Sequence, residues 1–207
     1  MPHSWRNSRR SLRIRMISEG EKMYPHYFIA IPIPNSLKEH FSYIQSQLKS
    51  KLSYKQWPHK EDLHITLKFL GEVDDKRVGK LNEHLSLLKR IKPFELTVKG
   101  VGYFGRKDRP RVLWSGIHHN LELAQLKEEV ELLTLQKGFE TEKRDYKPHV
   151  TLAKKWSGEP CGDVLKKIIS EYQSERFTLL VNEVILYKIH PKHNPKYEAI
   201  YRYRLKE

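Results

Sequence analysis

The sequence predicts an α+β fold, built from two copies of a β-α-β-α-β unit. We expect two lobes related by a pseudo-twofold axis, with antiparallel sheets flanking a central cleft. Three observations support this prediction. Strand-like and helix-like hydrophobic periods recur twice in the same order. The middle strand of each copy begins with the same short polar pattern. A chain of 207 residues is long enough to bury a sizeable core in one domain.

The first copy spans about residues 24–105, and its elements alternate between β-rich runs and amphipathic stretches. In order, it contains a strand over 27–33, a helix from Asn35 or Ser36 to about Leu52, a strand over 63–70, a helix over about 75–89 and a strand over 94–101. Pro34 and Gly71 end the first two strands, because proline and glycine interrupt regular structure.

The second copy spans about residues 106–207 and repeats the order. It contains a strand over 111–117, a helix capped by Asn120 that runs to Gly138, a strand over 149–154, a helix over about 162–172, one long alternating strand over 177–189 and a last strand over 197–205. The chain is therefore expected to form a single domain over 23–207, in which strands can cross between the two lobes.

The composition restricts the classes of partner and compartment. Lys and Arg total 39 against 25 Asp and Glu, so the formal charge is +14, which favours polyanionic partners such as nucleic acid. The single cysteine, Cys161, excludes an intrachain disulfide and indicates a reducing, cytoplasmic environment. We predict no membrane span, because no apolar run is long enough. Residues 1–22 form an Arg-rich, Ser-rich segment that we place outside the fold as a basic arm or a start-site artefact.

The repeated polar pattern is His-x-Thr-x, which occurs at His64 to Leu67 and again at His149 to Leu152. Alternate side chains of a strand share one face, so each histidine and the threonine two positions later face the same side. The pseudo-twofold axis would bring the two pairs together across the cleft. One copy alone would be an ordinary polar strand face, but two copies at equivalent positions of a repeat indicate a functional site.

These residue types suit phosphoryl chemistry. Displacement at phosphorus needs a base for the attacking group and an acid for the leaving oxygen, and two imidazoles can supply both. The Thr66 and Thr151 hydroxyls would donate hydrogen bonds to the non-bridging phosphoryl oxygens. The scheme requires no metal and no cofactor. Arg111, with Arg109 and Lys154 behind it, is a candidate contact to phosphate or RNA.

The remaining motifs are weaker evidence for a functional site. Residues 100–105 match G-x-G-x-x-G, but no helix follows, so a dinucleotide site is not expected. Aromatic side chains in the strands, among them Phe28, Tyr103, Trp114 and Tyr187, would stack a base or simply fill the core. The Cys161 thiol is expected to be a small buried side chain.

The paired motifs, with their flanking segments over about residues 24–205, resemble the two-histidine (2H) phosphoesterases, and among them the LigT-like RNA 2′,3′-cyclic phosphodiesterases. This resemblance implies that His64 is the proton donor to the leaving 3′ oxygen and His149 the proton acceptor that activates water. The product would be a 2′-phosphate. The sequence alone is symmetric in the two histidines and does not assign these roles.

The implied partner is RNA or an oligonucleotide ending in a 2′,3′-cyclic phosphate, acted on by a monomer that needs no protein partner. Two alternatives stay open. RNA 2′-5′ ligation is the same in-line chemistry run in reverse on the same residues. A non-catalytic module for nucleotides or RNA would use the histidines for binding alone.

Overall fold

The computed structural model describes residues 24–206, and the basic segment over 1–22 lies outside these described residues. Nine strands and four α-helices follow one another with short connections. The strands are β1 (His26–Pro32), β2 (Tyr54–Gln56), β3 (His64–Glu72), β4 (Phe94–Gly105), β5 (Pro110–Ile117), β6 (His149–Trp156), β7 (Arg176–Val181), β8 (Glu183–Ile189) and β9 (Tyr197–Arg204). The helices are α1 (Asn35–Lys49), α2 (Asp75–Leu85), α3 (Leu121–Leu135) and α4 (Gly162–Tyr172). Short 3₁₀ turns cover Lys60–Asp62 and Ser86–Arg90.

The helices begin where the sequence provides capping groups. The Asn120 side chain accepts a hydrogen bond from the Leu123 amide over 2.7 Å, which confirms the predicted start of α3. The Asp74 carboxylate caps α2 in the same way over 2.9 Å. Helix α1 ends at Lys49, before the predicted Leu52. These caps satisfy amide groups that a helix leaves without an internal partner.

All strands pair antiparallel in one sheet, in the order β7-β4-β5-β6-β3-β1-β8-β9, with β2 pairing on β6. The sheet has two halves. One consists of β3, β1, β8 and β9, the other of β6, β5, β4 and β7, and the joint between β3 and β6 is a single residue pair, Ile65 with Val150. The predicted α+β fold with a duplicated unit is confirmed.

The half-sheets do not coincide with the two halves of the sequence. Strand β4 comes from the first copy but lies beside β5 in the second half-sheet, and β8 with β9 comes from the end of the chain but lies beside β1. Each copy therefore contributes strands to its neighbour's half-sheet. This exchange ties the two halves together beyond their single shared pair.

The prediction of one strand over 177–189 is wrong. The chain forms β7, which pairs with β4, and after Asn182 it forms β8, which pairs with β1 in the other half-sheet. Apolar residues continue at alternate positions on both sides of Asn182, and a single asparagine inside such a run is a weak signal for a change of partner. Because one residue separates β7 from β8, those strand ends lie close in space, so the sheet curves back on itself.

Side chains from both copies form one continuous core. Fully buried residues include Ile65 and Leu67 of β3, Val150 and Leu152 of β6, and Leu126 of α3. Cys161 is also buried in this core, as predicted. No helix within residues 24–206 is long and apolar enough to cross a membrane.

Candidate active site

The joint between the half-sheets brings the two His-x-Thr motifs together. Ile65 and Val150 are directly opposite each other, and both are completely buried. Strand alternation turns their neighbours to the opposite face, and the antiparallel register sets His64 beside Thr151 and Thr66 beside His149. The four side chains thus form a square on one sheet surface, with the histidines on one diagonal and the threonines on the other.

Both imidazole rings are oriented by the same local device. Nδ1 of His64 donates to the carbonyl of Asp62 over 2.7 Å, and Nδ1 of His149 donates to the carbonyl of Lys147 over 2.7 Å. A carbonyl only accepts, so the proton of each neutral ring lies on Nδ1. Nε2 is left as the reactive nitrogen. In His64 it lies 3.0 Å from Oγ1 of Thr66, whose hydroxyl donates to it in the neutral ring.

Aromatic side chains support each ring. The His64 ring lies 4.7 Å from the Phe28 ring and 5.3 Å from the Tyr197 ring, measured between centroids. The His149 ring lies 4.9 Å from the Phe104 ring, edge to face, with Trp114 beyond it at 6.5 Å. Packing of this kind restricts ring rotation, so each Nε2 keeps its direction toward the cleft.

Asp62 holds a second segment against His64. Its side chain is 5 % exposed, and its carboxylate accepts hydrogen bonds from the backbone amides of Lys196, at 2.9 and 3.0 Å, and Tyr197, at 3.1 Å. These bonds fasten the start of β9 beside the start of β3. Tyr197 is thereby placed edge-on to the His64 ring. One residue therefore orients His64 through its carbonyl and through the neighbouring strand.

A β-bulge brings a cation into the site. Plain alternation after Thr151 would turn Ala153 toward the cleft, but the register between β5 and β6 shifts at this point. Ala153 is therefore buried, and Lys154 lines a small pocket with His64 and Thr151. Strand β3 shifts its register against β1 at the equivalent place, and there Phe69 occupies the position that corresponds to Lys154. The cleft is therefore not symmetric in charge.

Burial and charge act together on the titrating groups. Burial, aided by the positive charges of Lys154 and His149, lowers the pKa of His64 to about 4. Burial also lowers the pKa of His149 and that of Lys154. Both rings are thus largely neutral in the free protein near pH 7. A bound phosphate would supply negative charge and favour the imidazolium form needed for acid catalysis.

The cleft contains two spaces of different size. A pocket of about 100 Å³ lies against His64, Thr151, Lys154 and Tyr197. A cavity of about 750 Å³ begins at His149 and is walled by Trp114, Phe104 and Tyr146 among others. The first has the size for a water or a phosphate oxygen, whereas the second has the size of a typical ligand pocket.

The G-x-G-x-x-G segment makes room for Trp114. A Cβ at Gly102 would lie 2.2 Å from the Trp114 ring, and one at Gly116 would lie 3.0 Å from it. The glycines thus let the indole lie flat on the sheet next to His149. Phe28 and Tyr187, by contrast, stack on each other in the floor beside His64 and are nearly fully buried.

Arg111 lies apart from the square. It is not among the residues that line the two pockets beside the histidines. Phe104 pairs with Val112 and Gly105 with Pro110, so Arg111 is the extra residue of a β-bulge, and strand alternation does not assign its exposed side chain to a face. Of the basic residues singled out from the sequence, Lys154 is the one that reaches the histidines.

Residues 24–206 contain no cluster of three or more His, Cys, Asp or Glu side chains that could hold a metal ion. The histidine pairs at 118–119 and 190–193 do not form one. His190 instead pairs with Glu198 over 2.6 Å and stacks on His193.

The family model for LigT-like phosphoesterases matches residues 31–114 and 118–197, which together cover most of the chain and include both motifs. The chain belongs to this family. The LigT-like architecture is also that of E. coli LigT complexed with 3′-AMP, which superposes with a TM-score of 0.71 at 23 % identity, covering 88 % of this chain and 99 % of that one.

Two relatives named RNA 2′,3′-cyclic phosphodiesterase are similar in sequence to this LigT-like chain. The Bacillus subtilis protein is 36 % identical over 182 residues, covering 87 % of this chain and 97 % of its own length. The Geobacillus stearothermophilus protein is 34 % identical over 176 residues, covering 84 % of this chain. This chain spans only 55 % of the length of that second relative.

Sequence reasoning missed several residues of the site, among them Asp62 and Tyr146. Asp62 lies in a 3₁₀ turn, where strand alternation gives no information about its direction. Tyr146 is an aromatic residue in a polar segment, residues 140–147, and that contrast is the signal that could have revealed it. Its hydroxyl donates to the carbonyl of Thr66 over 3.2 Å.

Proposed function

We propose that this LigT-like protein is an RNA 2′,3′-cyclic phosphodiesterase that opens a terminal cyclic phosphate to a 2′-phosphomonoester by acid–base catalysis between His64 and His149. The single observation that carries the proposal is the diagonal placement of the two histidines around the Ile65–Val150 pair. In-line displacement needs an acid and a base on opposite sides of phosphorus, and a diagonal provides that arrangement.

The geometry and the family resemblance support the following roles for the groups of the site. Thr66 and Thr151, on the other diagonal, donate hydrogen bonds to the non-bridging oxygens, whose charge grows in the transition state. Lys154 adds a positive charge beside His64 and Thr151. His64 protonates the leaving 3′ oxygen and His149 takes the proton of the attacking water, which are the roles that the resemblance implies. The protein would work as a cytoplasmic monomer on RNA ends.

The proton balance of the step is complete without a cofactor. Water loses one proton to Nε2 of His149 and forms the new P–O bond, while the bond from phosphorus to the 3′ oxygen breaks and that oxygen gains a proton from Nε2 of His64. The two rings then exchange protons with solvent. No group-transfer reagent is needed, because the cyclic phosphate is already attached to the 2′ oxygen.

The test is hydrolysis of an oligoribonucleotide that ends in a 2′,3′-cyclic phosphate, in the presence of EDTA, with the product isomer identified by ³¹P NMR. We expect ring opening to the 2′-phosphate at a rate that EDTA does not change. Lys80→Gln, at an exposed position of α2 outside both pockets, is the control for loss of a surface charge and should hydrolyse at the wild-type rate. Binding of the RNA without ring opening would contradict the proposal and would favour a binding module.

A further inference from the structure

A row of residues leads from the active site across the second half-sheet. His149 on β6 pairs with Gly116 on β5, Gly116 pairs with Lys99 on β4, and Lys99 pairs with Arg176 on β7. Directly paired residues share one face of a sheet, so all four lie on the face of the catalytic square. With neighbouring strands about 4.8 Å apart, Lys99 lies roughly 10 Å and Arg176 roughly 14 Å from His149 along the row.

The row lies in the cavity of about 750 Å³ that begins at His149, and the charge of that cavity has one sign. Lys99, Lys147 and Arg176 line it, and none of the described residues lining it is acidic. The nearby carboxylate of Glu175 is directed to His40, 3.5 Å away. A cavity with cations and no carboxylate concentrates anions.

Lys99 is available to a ligand. Among the residues that the structure describes, its ammonium group has no hydrogen bond or ion pair. Arg176 uses one nitrogen to bind the carbonyls of Gln173 and Glu175, each at 2.7 Å, at the end of α4, which holds the guanidinium in place. Its other nitrogens remain for a ligand. Gly116 has no side chain, and the edge of the Trp114 ring lies over it, so a strand that runs from His149 to Lys99 passes across the indole.

The walls suit a nucleotide as well as its phosphate. Trp114, Phe104 and Tyr146 provide aromatic surface, and Ile117 and Ile169 provide aliphatic surface. Aromatic rings beside cations are the combination with which proteins hold single-stranded nucleic acid. On the His64 side the rings of Phe28, Tyr187 and Tyr197 pack together, and the pocket against His64 is the small one of about 100 Å³.

We propose that Lys99 and Arg176 bind a backbone phosphate of the RNA strand whose cyclic end lies between the histidines. This inference rests on the proposed function and specifies its substrate as an oligoribonucleotide rather than a cyclic mononucleotide. Phosphate contacts fix the position of a strand without reading its sequence, so the preference is for chain length and not for particular bases.

The direct test is binding of a fluorescent oligoribonucleotide of about six nucleotides that ends in a 2′-phosphate and is not turned over, measured by anisotropy over a range of salt. Each lost phosphate contact should flatten the slope of log K against log salt by about 0.7. Lys99→Gln should therefore flatten it by about 0.7, and the Lys99→Gln/Arg176→Gln double variant by about 1.4. Affinity should fall about five-fold for the single variant.

The matched control is Lys76→Gln/Lys80→Gln on α2, which removes the same charge from exposed positions outside the cavity. This control should bind with the wild-type slope. Because Arg176 also caps α4, the melting temperature of each variant is recorded, and the single Lys99→Gln variant decides the result if the double variant is unfolded. If Lys99→Gln shows the same slope of log K against log salt as the control, the proposal is overturned.

A second arm compares kcat/KM for a nucleoside 2′,3′-cyclic monophosphate and for cyclic-ended RNA of increasing length. We expect about a ten-fold rise with length in the wild type, most of it lost in Lys99→Gln. Equal values at all lengths, with binding still dependent on Lys99, would mean that another strand occupies the row, and would overturn the proposal. If the protein does not hydrolyse the cyclic end but Lys99→Gln still flattens the salt slope, the proposed function is contradicted and the phosphate contact is not.

Discussion

The Tyr146 hydroxyl donates a hydrogen bond to the main-chain carbonyl of Thr66 over 3.2 Å, across the joint between the half-sheets. Tyr146 precedes His149 by three residues, and Pro148 between them has no N–H with which to extend the ladder to β3. Burial raises the pKa of Tyr146, so the hydroxyl remains a donor throughout the working range of pH. This bond therefore links the backbone of one motif to the segment that carries the other.

Replacement of Tyr146 by Phe removes the hydroxyl and keeps the ring. We expect kcat to fall about ten-fold with KM nearly unchanged, because the histidines lose alignment in the transition state while the surface that binds RNA remains. Tyr103→Phe on β4 is the control and should leave both constants at wild-type values. A positioning role would be contradicted if kcat in Tyr146→Phe did not change. It would also be contradicted if the variant lost thermal stability and its lower kcat were explained by the smaller fraction of folded protein.

The threonines should act on the chemical step. Thr66→Val and Thr151→Val keep the shape and the strand propensity but remove the donor, and we expect each to lower kcat by about 10- to 100-fold. Steady-state kinetics on cyclic-ended RNA measures the effect. Thr97→Val, at an exposed position of β4, is the matched control. Wild-type kcat in both motif variants would show that the hydroxyls do not bind the phosphoryl oxygens.

The pH dependence of kcat/KM should be displaced toward acid. Both histidines have pKa values below the ordinary 6.5, that of His64 at about 4, and kcat/KM reports the free enzyme. One ring must be protonated and the other neutral, so both limbs should lie below pH 6.5, and activity should already fall with rising pH before neutrality is reached. A limb at or above 6.5 would contradict this.

Lys154→Gln tests the electrostatic part of the same prediction. Removing a positive neighbour favours the imidazolium, so the pKa of His64 should rise and its limb should move to higher pH. The loss of a cation beside the phosphate should lower kcat/KM by about 10- to 100-fold. Lys155→Gln, on the next and exposed residue, is the control. If the limb does not move in Lys154→Gln, the charge of Lys154 does not influence the pKa of His64.

Gly102 gives a prediction about stability. A Cβ at Gly102 meets the Trp114 ring at 2.2 Å, so Gly102→Ala should displace the ring and destabilise the fold by about 1–3 kcal/mol. Gly79→Ala in α2 is the opposite control, since nothing lies within 4 Å of its Cβ and alanine favours a helix by about 1 kcal/mol. Urea unfolding of the two variants should therefore show opposite signs. Equal stability would mean that the indole moves without cost.

Much of the fold and the centre of the site could be predicted from the sequence, because both depend on local periodicity. Alternation alone sets His64 and Thr66 on one face, and the repeat identifies their partners. Pairing partners depend on distant contacts, so the sequence could not show that Asn182 separates two strands or that β4 crosses to the other half-sheet. The bulge that turns Lys154 into the cleft also interrupts the alternation that would have been used to place it.

His64 and His149 are expected to act as one acid–base pair, and a double-mutant cycle measures their coupling. The rate of cyclic phosphate opening in EDTA is measured for the wild type, His64→Ala, His149→Ala and the double variant. Each single change should cost about 10²- to 10⁴-fold, and the double variant should lose little more than the worse single variant, because residues that act as a unit are not additive. Retention of the wild-type rate by either single variant, or a loss in the double variant equal to the product of the two single losses, would contradict the claim.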